Sequence, residues 1–123
     1  MAIALVQSKS FGDGGESGAI NGPHSLDSAP TNGNVIIADL GIRGDDWNDA
    51  FTLGAWPSGW TTLVGNNFAG VESQGHVIRA KVATGTADQS IQFSQALTGS
   101  LILSEWSGMG SAIPAVALAI ASA

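Results

Sequence analysis

Apolar and polar residues alternate along most of this chain with a period of two, and clusters of Gly, Pro, Asn and Asp interrupt the alternation at short intervals. That pattern predicts short strands joined by tight turns rather than helices, which would repeat apolar positions every three to four residues. The first strand is expected over 2–8, with Ile3 and Leu5 on one face and Ala4 and Val6 on the other. A glycine-rich loop follows over 11–23, then a short strand at 24–27 and an Ala-Pro-Thr-Asn-Gly turn at 29–33, which would make a hairpin with the next strand. That next segment, 34–43, is a near-continuous β-branched run and reads as a central strand covered on both faces. Asp39 interrupts it and is expected to face outward with Arg43.

The turn Trp56-Pro57-Ser58-Gly59 delivers Trp60 into a strand over 60–65. Pro57 sets its own φ and pushes Trp56 toward extended geometry, while Gly59 is free to adopt a positive φ. Burying ~200 Å² of indole at about 25 cal/mol/Å² marks Trp60 as the expected core anchor. Beyond it, 76–84 alternates His76, Ile78, Ala80 and Val82 inward against Val77, Arg79 and Lys81 outward, and 90–94 places Ile91 and Phe93 inward to complete a second hairpin. Strands over 101–106 and 115–121 close the series. The fold class is therefore all-β: an antiparallel β-sandwich of jelly-roll or Greek-key type, formed as a single domain over 11–123 with residues 1–10 as an N-terminal strand or arm.

A chain of 123 residues can bury roughly two thirds of its unfolded surface and fold without staples. It has no cysteine, which removes disulfides, thiolate metal sites and thiol nucleophiles. The net charge of −6 has the wrong sign for gripping phosphate backbones, so nucleic acid is not an expected partner. The N-terminus lacks the basic start of a secretion signal, and the apolar tail from Ile113 is interrupted by Pro114 and too short to span a bilayer. No membrane association is expected.

The richest candidate chemistry lies in 44–56, where Asp45, Asp46 and Asp49 surround Trp47, and Phe51 and Trp56 follow. The acids invite Ca²⁺, but the loop lacks the glycine and distal glutamate of an EF-hand. The rings invite sugar stacking on Trp47 or Trp56, or equally a place at a core edge or subunit contact. His24 and His76 have no metal-ligand spacing, Glu105 and the Asp cluster could pair as glycosidase acids but the chain hardly has residues to build the cleft they need, and the glycines of 12–22 are not followed by a phosphate-loop lysine. No enzyme, cofactor or metal is expected.

The succession 26–37, Pro57-Ser58-Gly59-Trp60-Thr61, Ala80-Lys81-Val82-Ala83-Thr84-Gly85 and Ser90-Ile91-Gln92-Phe93 resembles a β-sandwich module of phage virion and bacterial surface proteins, over roughly 24–108. A stand-alone, acidic, cysteine-free copy is similar to a capsid decoration (cement) protein. The resemblance implies a non-enzymatic structural protein on the surface of a phage particle, a homo-oligomer with a trimer favoured, fastening the major capsid protein or other virion proteins. Ile3 and Leu5 would then pair with a neighbour's sheet edge, and Asp45, Asp46, Trp47, Asp49, Phe51 and Trp56 are candidate partner contacts. A tail-fibre or spike adhesin that binds glycan is the alternative.

Overall fold

The computed structural model describes residues 2–12, 23–42, 56–67, 75–93 and 99–110. Their elements are β1 (Ala4–Phe11), β2 (His24–Ser25), β3 (Val35–Ile42), β4 (Thr61–Asn67), β5 (Gly75–Val82), a 3-10 turn (Thr86–Gln89), β6 (Ser90–Ile91) and β7 (Gly99–Ser107). The expected strand at 115–121, most of the glycine-rich loop and the acidic loop at 44–55 lie outside the described residues. All strand pairs are antiparallel: a five-stranded sheet in the order β1-β7-β3-β5-β4, and a two-stranded ladder of β2 with β6. The all-β, antiparallel expectation holds.

The β-branched run of β3 takes the centre of the large sheet, as its two-sided apolar character requires. Neither expected hairpin forms. β2 does not pair with β3, and β5 does not pair with β6; instead β2 and β6 pair with each other. The main-chain bond from Leu26 N–H to Gln89 O (2.9 Å) continues that ladder, and the Gln89 side-chain amide Nε2 donates back to Leu26 O (2.9 Å). The 29–33 turn was read correctly and leads into β3, but β3 pairs with β5 and β7 instead of β2. Gly33 (φ 91°) turns the chain into β3, and Gly33 N–H and Ala83 N–H then extend the β3–β5 pairing by bonding Ala83 O and Asn34 O.

Residues directly opposite one another share a face, so the registers resolve the inner face of the sheet into three rows. The first, Phe11, Leu101, Leu40 and Val77, is wholly apolar. The second runs Lys9, Leu103, Ala38, Arg79 and Thr62, and the third runs Gln7, Glu105, Ile36 and Lys81. The face therefore grades from apolar to charged. Leu26, Trp56, Ile91 and Phe93, all buried, lie over the apolar end and form one core cluster with Ala38, Leu40, Val77, Leu101 and Leu103. On the opposite face Val35 and Ala80 are also enclosed, whereas Ile102 is 44% exposed.

This arrangement corrects two expectations. Arg79 and Lys81 belong to the inner face, not the outer one, because their cross-strand partners Ala38 and Ile36 are buried there. The terminal strand is not a free arm: β1 pairs with β7 from Ala4–Ser107 to Phe11–Leu101, with a bulge between Leu5 and Gln7 that moves Leu5 to the outer face and Gln7 to the inner one. Removing residues 1–9 would strip an edge from the sheet.

Two glycines clamp the ends of the β1–β7 pair. Gly12 (φ 96°) and Gly108 (φ 80°) have positive φ, and a Cβ on either would collide with backbone: Gly99 O for Gly12, Ala2 O for Gly108. Gly108→Ala should cost at least about 1–2 kcal/mol, from the left-handed backbone alone. Gly33→Ala, where φ is positive but no atom lies within 4 Å, should cost less. Equal denaturant midpoints for the two variants would refute the clamp.

Candidate functional site

Two regions collect the described residues that sequence reasoning singled out. The first is the β1 edge. β1 ends the five-stranded sheet, and among the described residues no strand pairs with its other side. Ile3 is 58% exposed, Leu5 51% and Val6 50%. These are large apolar side chains left in water at the start of β1, beside the bulge between Leu5 and Gln7. Lys9 is the sole charge within β1, and its ammonium is bonded to Asp27 Oδ1 at 2.7 Å. An exposed ion pair of this kind adds little stability, but it leaves the Ala4–Val6 half of the edge uncharged.

The edge is held from behind by a buried acid. Glu105, 1% exposed, lies opposite Gln7 and accepts three bonds: from Gln7 Nε2 at 2.7 Å, from Thr31 N–H at 2.7 Å and from Asn34 Nδ2 at 2.8 Å. Gln7 Nε2 also donates to Ser28 O at 3.0 Å. One carboxylate thus ties β1, β7 and the turn entering β3. Burial by itself raises the Glu105 pKa, and the bonds from Gln7, Thr31 and Asn34 outweigh it and hold the group below its ordinary value. All its partners are neutral donors, so the negative charge stays on the group without a cation. A glycosidase acid would need to exchange its proton with substrate; this one is locked into the scaffold.

Asp88 does comparable work across the sheet. It is buried, accepts from Thr84 N–H at 2.6 Å and Thr84 Oγ1 at 2.8 Å, and pairs with Lys81 Nζ at 2.6 Å. Burial raises its pKa, and Lys81 and Thr84 together bring it below the ordinary aspartate value. The 3-10 turn is thereby fastened to β5.

The second region is the aromatic turn. Trp56 is 7% exposed and meets Phe93 edge-on at 5.0 Å and Trp60 in a tilted contact at 5.6 Å. It cannot offer a face to a sugar. The indole expected to anchor the core, Trp60, packs against the cluster while remaining part-exposed, and Trp56 is the indole buried within it. The Arg79 guanidinium lies over the Trp56 ring, 5.0 Å from its centroid. Burial pulls the Arg79 pKa below its ordinary value, although a guanidinium keeps its proton.

Asp45, Asp46, Trp47, Asp49 and Phe51 lie outside the described residues. Among the described residues no group of three His, Asp or Glu side chains could hold a metal, and no helix is long and apolar enough to cross a membrane. Among the described residues Glu105 and Asp88 are the buried charges, and sequence reasoning passed over their roles; a charged residue at an apolar phase of a strand, as Glu105 is after Leu101 and Leu103, was the available signal. Comparisons with family models, with curated proteins and with solved structures found no match for this chain.

Proposed function

We propose that this chain is a non-enzymatic structural protein that docks the β1 edge against a neighbouring subunit of a larger assembly, as a capsid decoration protein of a phage particle does. The observation that carries the reading is the exposure of Ile3, Leu5 and Val6 on an edge strand with no charge to guard that half. Proteins blunt such edges with charge or proline unless the edge has a partner. The partner strand would gain main-chain bonds along β1 and bury these side chains. The Glu105 network suits the task, since it holds the edge rigid and so lowers the ordering cost of binding. On this reading the partner is the major capsid protein or another virion protein, the site of action is the particle surface, and the protein itself is a homo-oligomer, with a trimer favoured. The adhesin alternative loses Trp56 as a stacking ring and would rest on Trp47.

The double substitution Ile3→Lys with Leu5→Lys tests this without removing a strand. Each lost contact removes on the order of 1.5 kcal/mol of burial, so self-association or capsid binding should weaken by roughly 100-fold while the β circular-dichroism signal is kept. Unchanged sedimentation behaviour and unchanged co-sedimentation with capsids would together remove the edge from the interface.

A further inference from the structure

We propose that β1 is an exchangeable strand: at high protein concentration it leaves β7 of its own chain and takes the same place against β7 of a second copy. The exchange uses the side of β1 that faces β7, so it is independent of docking on the outer edge. The first observation behind it is how β1 is held. From Ala4 to Ser10 no side chain is buried, and only Gln7 is part-buried. The nine residues of the core cluster all lie outside β1, with Phe11 packed against them from its end. By contrast, β3 buries Val35, Ile36, Ala38 and Leu40. What fastens β1 is polar: the ladder with β7, the Gln7 amide to Glu105 (2.7 Å) and Ser28 O (3.0 Å), Ser28 N–H to Gln7 Oε1 (3.3 Å), and Lys9 to Asp27 (2.7 Å). Water replaces such bonds when a strand opens, so β1 detaches without breaching the core.

The second observation is where these partners lie in the chain. Asp27, Ser28, Glu105 and β7 all follow residue 23, as does His24, whose ring lies 4.6 Å from that of Phe11. A single linker, residues 12–23, therefore separates β1 from everything named here that holds it. A second copy offers the same ladder, the same carboxylate opposite Gln7 and the same aspartate beside Lys9. Exchange breaks and makes identical contacts, which is why strand swapping is a low-cost route to association. It also fixes the partner, because only this chain supplies those acceptors in that register.

The third is reach. A dozen residues span up to about 40 Å when fully extended, against roughly 24 Å for the width of five paired strands. The covalent link thus lets β1 seat on an adjoining molecule while the rest of its own chain stays folded.

The chain has no cysteine, so introduced thiols report the pairing directly. Ser10 and Ile102 face each other in the β1–β7 register and both are exposed, at the spacing a disulfide bridges. Ser10→Cys and Ile102→Cys are prepared as separate full-length proteins, one of them ¹⁵N-labelled, then mixed and oxidised, and the products are weighed by mass spectrometry without reduction. At about 1 mM the mixed disulfide should exceed each same-variant product at least ~10-fold, where random oxidation gives about twofold, and the excess should vanish on dilution. In the wild type, amides of β1 should exchange hydrogen at least ~10-fold faster than those of β3. Ser8→Cys with Ser104→Cys, another facing pair, repeats the test should Ile102→Cys fail to fold. Products in random proportion, or β1 amides as protected as those of β3, would overturn the proposal. So would a dominant Ser10→Cys homodimer, which would instead show copies meeting edge to edge at β1.

Discussion

Replacing Trp56 with alanine will destabilise the protein by about 3–5 kcal/mol, several times the effect of the same change at Trp60. Trp56 is 7% exposed and sits among Phe93, Trp60 and Arg79, so its removal leaves a cavity that rigid strands on one side and a proline turn on the other cannot close. The edge-on Phe93 contact at 5.0 Å is lost in addition to the buried area. Trp60 is part-exposed and water replaces part of what it covers, so Trp60→Ala should cost about 1–2 kcal/mol. Denaturant midpoints measured on both variants check this, and a larger loss at Trp60 would reverse the assignment. For a domain of ordinary stability, the Trp56 change alone approaches the whole margin.

Glu105→Ala should cost about 3 kcal/mol, because it leaves the Gln7 amide, the Thr31 N–H and the Asn34 amide without their acceptor in a site that is 1% exposed. Glu105→Gln keeps an acceptor for Thr31 and Asn34 and should cost less. It also removes a titration, which separates the charge from the shape. The folded-state pKa values of Glu105 and Asp88 lie below their ordinary values of 4.5 and 3.8, so the stability these groups supply is complete above those values. It is lost as the pH falls through the lower folded values. Stability of the native chain should accordingly be level from neutral pH to about pH 5 and fall steeply on further acidification. Glu105→Gln should flatten part of that fall and Asp88→Asn another part. An acid limb identical in Glu105→Gln and wild type would show that the network does not control it.

Several features were legible in the sequence because they depend on local chemistry alone. The β-branched run over 35–42 had to be a strand covered on both sides, and it takes the centre of the sheet. Gly33 and Gly59 were placed in turns on dihedral grounds, and both have positive φ. The apolar run from Leu101 was read as a strand, and it lies within β7. The candidate site was less legible. Ile3 and Leu5 were picked out as apolar residues in need of a partner, and they are exposed; that β1 finds its first partner in its own β7 could not be read, since strand pairing across nearly a hundred residues leaves no local trace.

What the sequence by itself determined is the set of strands and turns, because alternation, β-branching and the φ demands of proline and glycine act within a few residues. Pairing, and hence phase, was decided only by the tertiary structure. The strand 75–82 has small or apolar residues at both phases, Val77 on one side and Ala80 on the other, and both are fully buried. Its pattern could not say which side met the core. The registers with β3 and β4 settled it, turning Arg79 and Lys81 inward against Trp56 and Asp88. The same holds for the indoles: a tryptophan's identity states how much area it has to bury, while the packing of Phe93 and the sheet decided that Trp56, and not Trp60, buries it.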